Sequence, residues 1–152
     1  RLRTNAPSNT SPGLMHGDYS FANVMVARDA PARIAAIIDW ELATIGDPLL
    51  DLGHLLSSWE DASSGPTWAY YVDWTAMRSR AEAAERYSLG CGRDVSALPF
   101  YMALALFRLA VILEGSYARY RRGQSDNPRH AVFETRVPTI LAQAVRLIDH
   151  EG

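Results

Sequence analysis

Two short apolar runs with β-branched residues stand near the start of the chain. They read NVMVA at 23–27 and RIAAII at 33–38, and the turn-like stretch RDAP lies between them. Apolar runs of this length separated by a turn predict a β-hairpin. A hairpin brings its two ends together, so Asn23 and Asp39 are expected to face each other across a few ångströms.

The pattern becomes helical after the hairpin. Over 46–59, Asp47 is placed as an N-cap and Pro48 stands at the first helical position. Four leucines follow at helical spacing: Leu49, Leu52, Leu55 and Leu56. Three further helices are predicted, over Pro66–Leu89 with Gly90 as its stop, over Ser96–Arg122 with Gly123 as its stop, and over 131–149. The fold class predicted is mainly α with a small β-hairpin.

Residues 1–13 differ from the rest because they are polar, rich in Pro, Asn, Ser and Thr, and show no period. They are interpreted as an arm or loop, and 14–152 as the folded unit. A length of 152 residues fits one domain. Apolar content of 48% and charged content of 21% are close to globular averages.

Composition also limits which kinds of partner and which cellular compartment are expected. The net charge is −2 and no basic block tracks a phosphate backbone, so nucleic-acid binding is not expected. Cys91 is the only cysteine, which favours a reducing, cytoplasmic setting. The apolar run at 97–115 contains Arg108 and Glu114, and its uncharged part is shorter than the roughly 20 residues of a membrane span. We therefore expect a buried helix there and no membrane partner.

Three oxygen-bearing residues, Asp18, Asn23 and Asp39, carry the candidate chemistry. Two carboxylates and an amide oxygen suit Mg²⁺, which completes its shell with water and substrate phosphates. In protein kinases a catalytic Asp is followed after four residues by an Asn, and a later Asp binds Mg²⁺. Asp18, four residues, Asn23, a hairpin and Asp39 repeat that arrangement, which favours phosphoryl transfer.

Three segments together resemble the C-terminal lobe of the aminoglycoside phosphotransferase family. They are HGDYSFANVMV at 16–26, IIDWELATIGDPLLDLG at 37–53 and FRLAVILEGSYARY at 107–120. Within that family the sequence is most similar to phosphotransferase domains related to those fused to acyl-CoA dehydrogenases. The resemblance covers roughly 14–150 and implies the C-terminal, helical lobe of a protein-kinase-like fold.

The resemblance also implies roles for five residues. Asp18 is the expected catalytic base for the hydroxyl of the acceptor. Asn23 and Asp39 are the expected Mg²⁺ ligands, with ATP as the phosphoryl donor. His16 is expected to fix the catalytic loop through hydrogen bonds, and Asp51 to brace that loop from the following helix.

The implied reaction is transfer of the γ-phosphate of Mg-ATP to a hydroxyl of a small molecule. Trp40 and Glu41 stand where a protein kinase has Phe-Gly, which argues against a protein substrate. Only fifteen residues precede His16, so the N-terminal lobe, with its phosphate loop and lysine, is expected to be absent from this sequence. That lobe would be needed in cis, or the exposed lobe face would favour self-association.

Other interpretations remain open on the sequence. The chain could be a non-catalytic remnant that acts as a binding or dimerising module, or a metal-dependent hydrolase that uses the same acids. Asp47 is interpreted as a helix N-cap rather than a ligand. His54 falls on the apolar side of its helix and is interpreted as a core histidine.

Overall fold

The computed structural model describes residues 1–8, 10–29, 31, 33–60 and 71–149. Four helices make up most of its regular structure, and four short strands precede them along the chain. The strands are β1 (Gly13–Met15), β2 (Val24–Val26), β3 (Ile34–Ile37) and β4 (Thr44–Gly46). The helices are α1 (Leu49–Ser57), α2 (Arg80–Cys91), α3 (Leu98–Arg121) and α4 (Phe133–Asp149).

The predicted hairpin forms from β2 and β3. The strands are antiparallel, Val24 pairs with Ile37, and the register shifts between Met25 and Val26. A second antiparallel pair, β1 with β4, was not predicted. Because β1 precedes the hairpin and β4 follows it, this outer pair closes the loop that contains 16–23 and 38–43.

Helix α1 begins at Leu49, with Pro48 rather than the predicted Asp47 at the N-cap position. The Oδ1 atom of Asp47 still accepts the backbone N–H of Leu49 at 3.0 Å, so its side chain satisfies a free N–H group at the start of the helix. The Oδ2 atom of Asp47 accepts the hydroxyl of Tyr101 on α3 at 2.9 Å. The start of α1 is therefore tied to the third helix.

The predicted bounds of the second helix were wrong. Residues 66–70 of that prediction lie outside the described residues, but 71–79 form turns and a 3-10 turn, Trp74–Ala76. Helix α2 begins after Ser79 because Ser79 and Glu82 form a capping box. It continues through Gly90 to Cys91, and Gly92 follows as the C-cap with a φ of 69°, the left-handed conformation.

Helix α3 is the centre of the helical body. It packs against α1 and against α4. By length and composition alone it could cross a membrane, with a mean hydropathy of 1.6. Its partners bury one face, as the sequence predicted for a core helix. The buried residues of α3 are Leu98, Tyr101, Met102, Ala103, Ala105, Leu106 and Ala110.

The N-terminal arm lies along this body. Leu2 packs against the cluster between α3 and α4. Arg1 and Asp149 form an exposed ion pair with a distance of 2.5 Å between Nη1 and Oδ2. Further along, the Arg93 guanidinium donates to the carbonyl of Ser11 at 2.7 Å. Among its described residues, the arm has no strand or helix before Gly13. It nevertheless contacts α3 and α4 through its first two residues, and the turn after α2 through Ser11.

Candidate active site

The carboxylate of Asp51 holds the loop that follows β1. Its Oδ2 atom accepts the backbone N–H of His16 at 2.5 Å, and its Oδ1 atom accepts that of Gly17 at 2.9 Å. Asp51 lies in the first turn of α1. Hydrogen bonds to an ionised carboxylate are about twice as strong as neutral ones. The loop is therefore fixed to α1 by two such bonds, in the bracing position that the resemblance implied for Asp51.

His16 is buried beneath the same loop and is 3% exposed. Its Nε2 atom lies 2.7 Å from the carbonyl oxygen of Ile38, and its Nδ1 atom accepts the N–H of Asp18 at 3.2 Å. A carbonyl can only accept, so Nε2 carries the proton and Nδ1 does not. The indole of Trp40 lies against the imidazole, with 4.8 Å between ring centroids. His16 thus joins the predicted catalytic loop, residues 16–23, to the end of β3.

Position 17 requires glycine for two reasons, its backbone conformation and the lack of space for a side chain. Its φ is 85°, and a Cβ atom built there would lie 2.3 Å from the carbonyl oxygen of Leu42. On the other side, the guanidinium of Arg108 donates to the carbonyl of Gly17 at 2.5 Å. The turn before Asp18 is therefore held from α1 by Asp51 and from α3 by Arg108.

Asp18 emerges from this turn with its side chain 47% exposed. The amide nitrogen of Asn23 donates to the Asp18 carbonyl at 2.9 Å and lies 3.4 Å from its Oδ2 atom. The Nε2 atom of His54 lies 3.2 Å from Oδ1. Both carboxylate oxygens are thus near a donor. A carboxylate offers about four lone-pair sites, so room is left for a further hydroxyl.

Asn23 and Asp39 lie at the open end of the hairpin, as predicted. The Asn23 carbonyl accepts the N–H of Ile38 at 2.9 Å, so Asn23 is opposite the residue that precedes Asp39. Asp39 has a φ of 68°, the only positive φ at a non-glycine residue in the described part of the chain. Strained conformations of this kind cluster at functional sites.

The donor chemistry of this pair fits a magnesium ion. Since the Asn23 amide nitrogen faces Asp18, its Oδ1 atom is directed elsewhere. Within the described residues, no hydrogen bond or ion pair engages that oxygen or the Asp39 carboxylate. An amide oxygen and a carboxylate are ligands that Mg²⁺ accepts. Among the described residues, no group of three or more His, Cys, Asp or Glu side chains is arranged to hold a metal ion, so the ion would depend on phosphate and water for most of its shell.

Sequence reasoning missed His54 and Arg108 as residues of this site. The interpretation of His54 as a core histidine holds for its burial, since its side chain is only 15% exposed, but its ring also lies against Asp18. Burial lowers the pKa of His54, and Arg108 lowers it further, whereas the carboxylates of Asp18 and Asp51 oppose the shift. The available signal was spacing, since Asp51 and His54 are three residues apart and share a helix face.

A cavity of about 360 Å³ opens beside Asp18. The catalytic loop forms one wall, and α1, α3 and α4 form the others. Its lining is formed by Asp18, Ser20, Ala22, Asn23, His54, Leu109, Leu113, Phe133 and Arg136. A larger cavity of about 660 Å³ lies between α1 and α2 and is lined mainly by apolar side chains. It includes neither Asp18 nor Asn23, so the smaller cavity is the one next to the candidate chemistry.

Comparison with known proteins identifies the family. A model of the phosphotransferase enzyme family matches residues 1–86, which contain the catalytic loop, the hairpin and α1. The chain belongs to the phosphotransferase enzyme family. The resemblance stated from the sequence is therefore confirmed.

A solved structure shares the fold of this chain. It is described as "a putative aminoglycoside phosphotransferase" from Ralstonia eutropha, and it superposes with a TM-score of 0.82 at 26% identity. The match covers 98% of this chain and 46% of the other. A kinase-like fold is thus supported, and the chain spans a little under half of that protein.

Curated relatives are much longer than this chain. Acyl-CoA dehydrogenase family member 11 from Homo sapiens is 32% identical over 96% of this chain and 19% of its own length. Family member 10 from Mus musculus is 30% identical over 83% and 12% respectively. The probable acyl-CoA dehydrogenase IBR3 of Arabidopsis thaliana is 31% identical over 82% and 16%. The chain therefore spans less than a fifth of each.

Proposed function

We propose that this chain is the C-terminal lobe of a small-molecule kinase, which transfers the γ-phosphate of ATP to a hydroxyl group. The observation that carries the proposal is the position of Asp18. Its carboxylate stands at the mouth of a cavity, on a loop held by Asp51 and Arg108, within a chain of the phosphotransferase enzyme family. Positioning of this kind is the main protein contribution to phosphoryl transfer.

Asp18 acts as the general base. It orients the acceptor hydroxyl and takes its proton as the oxygen forms its bond to phosphorus, and ADP leaves with the electrons of the broken bond. A positioned base typically contributes 10²–10⁴-fold in rate. Asn23 and Asp39 would hold the Mg²⁺ that accompanies the nucleotide. When bound, the ion neutralises the charge that develops on the nucleotide phosphates.

The acceptor occupies the 360 Å³ cavity beside Asp18. That volume lies in the range of small-molecule sites. Leu109, Leu113 and Phe133 give it an apolar side, and Arg136 is its only cation. Asp18 is the only carboxylate in this lining, which does not suit a polycationic acceptor such as an aminoglycoside.

The N-terminal lobe is proposed to cover the two small sheets in cis. Both sheets carry large apolar side chains that are exposed, and exposed apolar surface of this kind often marks a contact surface. Leu14 of β1 pairs with Ile45 of β4, and both are more than 60% exposed. Met25, Val26 and Ile34 on the hairpin are more than half exposed as well. A lobe that supplies the phosphate loop would bury these side chains, and in its absence a second copy could cover them.

The test is magnesium-dependent ATP turnover by the full-length protein with a panel of small alcohols, sugars and hydroxy acids. We expect at least one acceptor to stimulate turnover, and Asp18→Asn to reduce kcat by about 100-fold or more. Asp126→Asn, at an exposed carboxylate, is the matched control and should leave kcat unchanged. The proposal fails if no acceptor stimulates turnover, or if Asp18→Asn is as active as the control.

A further inference from the structure

Helix α1 reaches the catalytic loop at two points, one helical turn apart. Asp51 binds the backbone of His16 and Gly17, and His54 places its Nε2 atom 3.2 Å from Oδ1 of Asp18. The two hydrogen bonds of Asp51 fix the backbone of the loop. The contact of His54 is of a different kind, because it involves the carboxylate that the proposed function uses.

Asp18 has little else to fix its side chain. It is 47% exposed, whereas the His54 side chain is only 15% exposed and is held within the helical body. The second neighbour of the carboxylate, the Asn23 amide, is 3.4 Å from Oδ2 and is also a proposed metal ligand. Of the two, His54 is the closer to the carboxylate and the one with no other proposed task.

The charges around His54 decide its protonation. Asp18 faces it from the loop, Arg108 from α3, and Asp51 from its own helix. Burial and Arg108 lower its pKa, and the two carboxylates oppose this without reversing it. His54 is therefore neutral at physiological pH, and a neutral imidazole has one N–H to give.

We propose that His54 is a positioning residue, which donates its Nε2–H to Oδ1 of Asp18 and holds that carboxylate towards the acceptor cavity. This inference rests on the proposed function for its kinetic consequence but not for the contact itself. His54 keeps its proton throughout, and the proton of the acceptor hydroxyl goes to Asp18. Protonation of His54 below its pKa would turn the contact into an ion pair and weaken Asp18 as a base.

The contact is tested without any activity, by NMR titration of the full-length protein with labelled histidine. Loss of the His54 signal in His54→Gln assigns the resonance. Because Asp18 raises the pKa of His54 against the effect of burial, Asp18→Asn is expected to lower that pKa further. An unchanged pKa in Asp18→Asn would overturn the inference, whether or not the protein proves to be a kinase.

The positioning role is tested by kinetics on the same protein. His54→Leu keeps an apolar filling but removes the donor, and we expect kcat to fall roughly 10–100-fold with the KM for ATP unchanged. His54→Gln keeps an N–H of similar reach and should recover most of kcat. His130→Gln, at a histidine outside the site, is the control.

Three kinetic results would overturn the role: wild-type kcat in His54→Leu, equal loss in His54→Gln, or a change confined to KM. If His54→Leu does not fold, the glutamine variant and the titration decide the matter. If the wild-type protein transfers no phosphate, the proposed function fails, and the titration still tests the contact.

Discussion

The Oδ2 atom of Asp51 accepts the backbone N–H of His16 at 2.5 Å, although the two residues are 35 positions apart in the chain. This bond joins the first turn of α1 to the loop that carries Asp18. The other carboxylate oxygen takes the N–H of Gly17 at 2.9 Å, so both oxygens serve the loop. The position of the candidate base is therefore set by a helix that begins 31 residues after it, at Leu49.

Replacing Asp51 with Asn should destabilise the fold and reduce activity together. A carboxamide has one acceptor oxygen, so one of the two loop N–H groups would face an amide donor instead. An unsatisfied buried donor costs about 1–3 kcal/mol in the free energy of unfolding. Urea unfolding of the full-length protein, followed by tryptophan fluorescence, measures this loss. Asp126→Asn is the control, and equal unfolding midpoints for the two variants would contradict the role of Asp51.

Gly17→Ala should be more damaging than a glycine replacement in a helix. Its φ of 85° costs an L-residue about 1–2 kcal/mol, and its new Cβ would lie 2.3 Å from the Leu42 carbonyl oxygen. We expect a loss of at least about 2 kcal/mol in the same unfolding measurement. Gly115→Ala in α3, with nothing within 4 Å, should instead gain about 0.5–1 kcal/mol. Similar changes for both variants would refute the strain assigned to Gly17.

Tyr101→Phe tests the tie between α3 and the start of α1. The lost hydrogen bond to the Asp47 carboxylate should cost about 1–3 kcal/mol near neutral pH. Burial, with the Asp47 hydrogen bond and charge, raises the pKa of Tyr101 to about 12.

The raised pKa also predicts a pH dependence with a definite sign. A folded pKa above the unfolded value of about 10 gives stability that is complete below pH 10 and is lost as pH rises towards 12. The wild-type protein should lose that contribution between those values, and Tyr101→Phe should not. Parallel curves of unfolding free energy against pH for the two proteins would show that Tyr101 does not titrate in this way.

Asp39→Asn should weaken the binding of magnesium. The variant keeps an oxygen donor but removes the charge, so the Mg²⁺ concentration for half-maximal ATP turnover should rise at least roughly tenfold. High Mg²⁺ should restore part of kcat. A magnesium titration of turnover measures this, with Asp29→Asn on the exposed turn as the control. An unchanged Mg²⁺ requirement would remove Asp39 from the proposed site.

The sequence predicted the fold where the local signal was strong. The hairpin was found because two apolar runs flank a turn, and α3 because its apolar run is long. The pairing of β1 with β4 was missed because each strand has three residues, too few for a period, and the partners are about 30 positions apart. The start of α2 was misplaced because Pro66 was preferred to the capping box of Ser79 and Glu82.

In the candidate site, too, the sequence could predict some features and not others. Asp18, Asn23 and Asp39 could be predicted as candidates because their spacing is itself a signal, and the structure brings Asn23 against Asp18. The burial of His54 was predicted, but its contact with Asp18 was not, because helical periodicity assigns a face and does not say what packs on it. Where α1 meets the catalytic loop, that face is in contact with a carboxylate. Arg108 also offered a sequence signal, because a charged residue within an apolar helix needs a partner. In the structure, that partner is the Gly17 carbonyl.

The most direct test of the central claim is ³¹P NMR of the products formed by the full-length protein from Mg-ATP and an acceptor that stimulates turnover. We predict a phosphate monoester that appears in step with ADP and is lost in Asp18→Asn. Inorganic phosphate in place of the ester would indicate a hydrolase using the same acids. That result, or ester formation that survives Asp18→Asn, would contradict the assignment of Asp18 as the base of a phosphotransferase.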